Sequence, residues 1–140
     1  MKGQEIPIAE MVRNGTMSAD MAGLLWAAVD EGVSFMTVAI PQNAGKSTTA
    51  EAVLALRPPN TPVIPVANEP ELLEQLRQER RGGYLSVSEF NPRMRRSYIW
   101  DEPARRVFET LSAGYSLQAS LHAGSAEEGM REITHGIGVK

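Results

Sequence analysis

The sequence contains no cysteine, which excludes a disulfide framework, a thiol nucleophile and a thiolate metal site, and fits a reducing compartment. Its two histidines, His122 and His135, are too few for a histidine-rich metal centre. Long apolar runs are missing as well: nothing approaches the roughly 18 residues of a membrane span. Charged residues interrupt the apolar stretches of MKGQEIPIAEMVRNG, so no signal segment is read there and the expected compartment is the cytoplasm. The formal net charge of -3 supplies no general attraction to phosphate backbones, so nucleic acid is not an expected partner. Lysine is scarce too. Of the 14 basic residues three are lysines, Lys2, Lys46 and Lys140, leaving 11 arginines, and Lys46 alone lies away from the ends.

What is there reads as an ordinary globular chain. Its 140 residues suit one domain, and 42% hydrophobic with 22% charged residues fits a packed core. Ser18 to Glu31 predicts a helix, with Ser18 as N-cap, Gly32 as stop, and Met21, Leu24, Leu25, Ala28 and Val29 on its inner stripe. Val33 to Ile40 is a nearly continuous apolar run, as in a strand buried on both faces of a parallel sheet. A helix follows from Lys46 to Pro58-Pro59, with Ala50, Val53, Leu54 and Ala55 inward. Further strands are predicted at Pro62 to Ala67, where Pro65 suits an edge, and at Tyr84 to Ser88, Ser97 to Trp100 and Leu117 to Leu121. Helices are predicted at Glu71 to Arg81, Ala104 to Ala113 and Ala126 to Thr134. The alternation argues for a three-layer α/β domain around a mostly parallel sheet. Trp26 and Trp100 are expected in the core, and His135 on the surface.

The segment joining the first strand to its helix carries the chemistry. The phosphate-loop pattern G-x-x-x-x-G-K-[ST] is met by Gly45, Lys46 and Ser47, with Ile40 where the first glycine stands in the pattern. In such a loop, here Pro41, Gln42, Asn43, Ala44 and Gly45 with Lys46, Ser47 and Thr48, backbone N–H groups and a helix N-terminus cradle phosphate oxygens. Lys46 reaches the β- and γ-phosphates, and the Ser47 hydroxyl binds Mg²⁺. Asn43 is one of the few non-glycine residues that tolerate positive φ. The plainer alternative, a helix start with a solvated lysine, explains the tripeptide but not a lysine opposing the dipole in the first turn. The strand before it and the helix after it favour the phosphate loop.

Several segments, in order, resemble the traffic ATPases of type II and type IV secretion and of type IV pili, above all their archaeal and tight-adherence branch. AEMVRNGTMSADMAGLLWAAVDEGVSFMTVAIPQNAGKSTTAEAVLALRPP resembles the family's turn, tryptophan helix, strand, phosphate loop and proline-ended helix. VANEPEL resembles its aspartate box, YIWDE its Walker B strand, and SAGYSLQASLHAGSAEEGMREI its histidine box. The resemblance implies a P-loop, RecA-like fold, with a helical lead-in over 1–33 and a minimal ATPase core over 34–140. It implies ATP and Mg²⁺ as substrate and cofactor, Glu102 as the carboxylate that orients or deprotonates water, and Asp101 in the Mg²⁺ shell. Glu69 would act with them, His122 would sense the γ-phosphate, and the partner would be a second copy or a secretion-system protein. The Asp-Glu pair equally suits a helix cap ahead of Pro103, and a lone histidine suits a structural role. The arginines Arg77, Arg80, Arg81 and Arg93, Arg95, Arg96 include candidates for a finger acting in trans, although most read as solvated. Two other functions fit the same residues: a nucleotide sensor or assembly partner that does not hydrolyse, and an α/β interaction module that keeps only the fold.

Overall fold

A computed structural model describes residues 7–39, 46–93 and 97–139. Helix α1 (Pro7–Arg13) precedes α2 (Ala19–Asp30), which begins where the Ser18 hydroxyl accepts the Met21 N–H at 3.1 Å. Strand β1 (Phe35–Val38) leads to α3 (Lys46–Leu54), β2 (Val63–Val66), α4 (Pro70–Glu79) and β3 (Tyr84–Phe90). There follow β4 (Tyr98–Ile99), α5 (Asp101–Thr110), β5 (Ser116–Leu121) and α6 (Ala126–Arg131), which runs into a π-helical turn over Glu132–Ile137. Only α1 lies outside the elements predicted above; at seven residues it is too short to show a helical period.

All strand pairs are parallel, and the main path across the sheet is β1-β5-β3-β2. The last strand in sequence is therefore inserted between the first and the third. Strand β4 pairs only with the end of β3, at Glu89↔Tyr98 and Phe90↔Ile99. Because β5 holds the other edge of β3 at Phe90↔Leu121, β4 continues the β2 side of the sheet. Strand β2 ends the path, and Pro65, which has no N–H to give a second neighbour, is exposed there.

The period of two separates the faces. Ile64, Val66, Leu85, Val87, Leu117, Ala119 and Leu121 share one face and enter the larger core with Leu73, Leu76, Ala104, Val107, Ile133 and Ile137 from α4, α5 and the C-terminal turn. Here α6 comes close enough that a Cβ on Gly129 would lie 3.1 Å from Leu121 and 3.2 Å from Val38. On the opposite face Phe35, Tyr84 and Val63 pack with Val53 and Leu54 of α3 and with Val29 and Leu25 of α2. The Tyr84 hydroxyl donates to the Val33 carbonyl at 2.8 Å, and burial raises its pKa above the usual phenol value.

The structure corrects the predicted inner stripe of α2. Val29 is buried and Leu25 half-buried, whereas Met21, Leu24 and Trp26 are 48%, 64% and 50% exposed. The reason is position: α2 lies against α3 and reaches the sheet face only through Leu25 and Val29, so a narrow line of side chains suffices to hold it. Ala55, just past the end of α3, is exposed too, while Trp100 is half-buried against the larger core. Among the described residues no helix is long and apolar enough to cross a membrane.

Truncating Leu85, which is fully buried in the central strand, is expected to cost about 2–5 kcal/mol in urea unfolding of the Leu85→Ala variant. Leu24→Ala, on the exposed flank of α2, is expected to stay within about 0.5 kcal/mol of the parent.

Candidate functional site

In an open parallel sheet the ligand crevice lies beyond the carboxyl ends of the strands, where the chain order reverses. Here that place is set by β5, inserted between β1 and β3. The segment after β1 returns on one face as α3, whose first residue is Lys46, while α4 and α5 cover the other face. Ile40, Pro41, Gln42, Asn43, Ala44 and Gly45 lie outside the described residues. Helix α3 carries the Lys46-Ser47 pair of the motif at its start and an exposed Thr48.

The sheet face beneath α3 changes character along its length. Toward the amino ends of the strands it presents Phe35, Tyr84 and Val63. Toward the carboxyl ends it turns polar: Thr37 pairs with Ser120, hydroxyl to hydroxyl at 3.0 Å, and the Ser86 hydroxyl donates to Gln118 Oε1 at 2.7 Å. Gln118 and Ser120 are 5% and 4% exposed. Buried polar groups are tolerated only when paired, and no buried side-chain polar atom lacks a partner among the described residues.

One more polar residue stands on this face at the end of β3. The register slips between Val87↔Ala119 and Phe90↔Leu121, so Ser88 and Glu89 together oppose Ser120, a β-bulge of the kind that re-aims side chains beside sites. Glu89 is only 8% exposed and alternates with Phe90, which puts it on the α3 face. Its Oε2 accepts the Asn91 Nδ2–H at 2.7 Å. Asn91, itself 6% exposed, gives its backbone N–H to Ile99 at 3.1 Å, and its Oδ1 accepts the Arg93 N–H at 2.9 Å. Glu89 was not among the residues selected from sequence. The available signal was an acid near the end of a strand, YLSVSEF, and YIWDE shows two acids directly after its strand.

The residues that were selected divide into two places. His122 directly follows β5, the neighbour of β1, and is exposed. Glu69 and Glu102 come together in a different spot, a cavity of about 180 Å³ lined by Asn68, Glu69, Pro70, Leu73, Glu102, Pro103 and Arg106. That volume is below the 300–1,000 Å³ typical of small-molecule sites. Each acid has a local partner. Glu69 Oε1 accepts the Ala67 N–H at 3.2 Å, and Glu102 Oε1 pairs with Arg106 Nη2 at 2.7 Å, one helical turn on. Asp101 is exposed, with φ +50°, and opens α5. The Asp101-Glu102 pair thus follows β4, with β3 and β5 between it and β1, and Trp100 rather than either acid is the N-cap. Of the arginines, Arg77 and Arg81 make exposed pairs with Glu74 and Glu79, Arg80 closes α4 with left-handed backbone, and Arg95 and Arg96 lie outside the described residues.

No family model and no curated protein matches the sequence. A solved structure does, the VirB11 ATPase of the Brucella suis type IV secretion system in complex with sulphate. The match has a TM-score of 0.59 and 18% identity, over 96% of this chain and 43% of the other. The chain is similar in fold to a VirB11 ATPase. It spans less than half of the VirB11 chain, and at this identity the likeness extends to the mostly parallel α/β sheet and its helices.

The polar pairing on the VirB11-like sheet is directly testable. Ser86→Ala leaves the buried Gln118 oxygen without its donor and is expected to cost about 1–3 kcal/mol. Ser88→Ala, at an exposed position of the same strand, is expected to leave the denaturation midpoint unchanged.

Proposed function

We infer that the chain is a Mg²⁺-dependent ATP-binding and ATP-hydrolysing domain of the secretion-motor type, working at the carboxyl ends of β1, β5 and β3. The observation that carries this reading is Glu89: a buried carboxylate on the α3 face of the sheet, across β5 from the strand and helix that flank the phosphate-loop motif. A carboxylate taken out of water costs several kcal/mol unless it is paired, and such groups cluster at functional sites. The fold of a protein named as an ATPase, crystallised with a tetrahedral oxyanion, supports the same reading.

The mechanism follows from the roles of this chain's residues. Backbone N–H groups of Pro41 to Gly45, proline excepted, and of the α3 start would hold the β-phosphate, with Lys46 neutralising the β- and γ-oxygens. The donor the chain would offer, the Ser47 hydroxyl, is a hard oxygen ligand. That chemistry suits Mg²⁺, which takes few protein ligands and completes its shell with water and phosphate. When bound, Mg²⁺ would neutralise charge between the β- and γ-phosphates. Glu89 orients the attacking water and accepts a hydrogen bond from its O–H, the role that the resemblance gave to Glu102. His122, which directly follows the strand beside β1, would contact the γ-phosphate. Glu69 stays in the proposal as an outer residue, while Asp101 and Glu102 are left out of it, tied to the start of α5.

Membership of the archaeal and tight-adherence branch, a cytoplasmic location, and assembly with a second copy or a secretion-system protein belong to the same proposal. Exposed Leu24 and Trp26 on α2 support assembly. The division of the chain into a helical lead-in over 1–33 and a core over 34–140 also belongs to the proposal, the lead-in helices α1 and α2 packing against α3 of the core.

Mg-ATP binding and phosphate release test the reading. Lys46→Ala is expected to abolish binding, and Glu89→Gln to retain binding while losing about 10²–10⁴ in turnover. Glu102→Gln is expected to change turnover by no more than about twofold. Absence of binding by the parent at millimolar ATP would sink the proposal, and binding without turnover would select the sensor.

A further inference from the structure

We propose that Asn91 is a positioning residue: its side-chain amide holds the Glu89 carboxylate in the orientation from which it meets the attacking water. This rests on the ATPase reading given above and extends it to a residue outside the phosphate loop and outside the carboxylate itself.

The geometry carries the argument. Glu89 sits at a β-bulge on the β5 side of β3 and in register with Tyr98 on the β4 side, and its flexible side chain has several rotamers to lose. Asn91 Nδ2 donates to Glu89 Oε2 at 2.7 Å, and both side chains are nearly buried. Asn91 is held in turn at two other points, by its backbone N–H on Ile99 of β4 and by its Oδ1 on the Arg93 N–H. The amide is thus split between two tasks. Its oxygen closes a local turn, and its nitrogen faces the acid. A turn alone needs only the oxygen, and aspartate serves such turns as well as asparagine does. The N–H donor is the part that a turn does not explain. Carboxylate ligands and bases are commonly fixed by such outer hydrogen bonds, whose loss costs about 10–100-fold in activity.

The distinction between the two ends of the amide supplies the test. Asn91→Asp keeps the turn acceptor, removes the donor and places a second carboxylate against Glu89; Asn91→Ala removes both ends. Steady-state kinetics with Mg-ATP are measured for these variants, for Glu89→Gln, and for Glu89→Gln combined with Asn91→Ala. Both Asn91 variants are expected to lose about 10–100-fold in kcat with KM held within about twofold. In the Glu89→Gln background, Asn91→Ala is expected to cost nothing further, because its effect runs through Glu89. Parent-like kcat for Asn91→Asp would show a turn role only and overturn the inference, as would full additivity in the double variant. If Asn91→Asp melts below the assay temperature, Asn91→Ala and the double variant decide. A Glu89→Gln enzyme with unchanged kcat, or a parent without turnover, would bring down the ATPase reading and this inference with it. A normal Glu89→Gln loss with unaffected Asn91 variants would bring down this inference alone.

Discussion

The register between β5 and its two neighbours, β1 and β3, sets what every other part of the molecule can do. Strand β5 is entered last and must fit a gap that β1 and β3 leave open, with Phe35↔Gln118 on one side and Ser86↔Gln118 on the other. Its two faces have opposite character. Leu117, Ala119 and Leu121 extend the larger apolar core, whereas Gln118 and Ser120 meet hydroxyls from β3 and β1. A slip of one residue would exchange these faces, placing Gln118 in the apolar core and Leu117 among unpaired hydroxyls. Apolar burial and polar pairing therefore enforce one register, and that register brings the ends of β1, β5 and β3 together.

The bulge in β3 adds the acid on which the proposal rests. It inserts one residue where β5 has none to match, so that Phe90 returns to the apolar core while Glu89 faces the side of α3. Keeping that acid nearly buried is unfavourable by itself, and the Asn91 amide offsets part of the cost. A polar arrangement maintained at the carboxyl end of a sheet, with an apolar one at the amino end of the same face, is what a phosphate-binding crevice needs.

Most of the element order could be read in the sequence because each element carries its own local mark. The run Phe35–Val38 is mostly apolar and forms a strand, although it ends the sheet path and is only half-buried; Ser18 supplies a cap for α2, and Pro65 points to an edge. The acid on which the proposal rests, Glu89, could not be read in this way. SVSEF and YIWDE both carry acids at or just beyond the end of a strand, and the second has two carboxylates. What separates them is strand order. Strand β3 adjoins β5, whereas β4 is two residues long and stands on the far side of β3. Strand order is a property of contacts distant in sequence, which no local pattern encodes. The exposed Trp26 and Leu24 have a similar cause: their helix pattern specifies an inner stripe, but how wide a stripe is covered depends on α3 beneath it.

The central claim is that the phosphate site lies over the ends of β1, β5 and β3 and not in the cavity between α4 and α5. Backbone amide NMR during a Mg-ADP titration tests this most directly, since it locates the ligand without requiring turnover. The account predicts shifts at Val38 and Ala39, in the first turn of α3, at Glu89 to Asn91 and at Leu121 to Ala123. Shifts confined to Asn68, Glu69 and Glu102 to Arg106, or none at millimolar nucleotide, would contradict it.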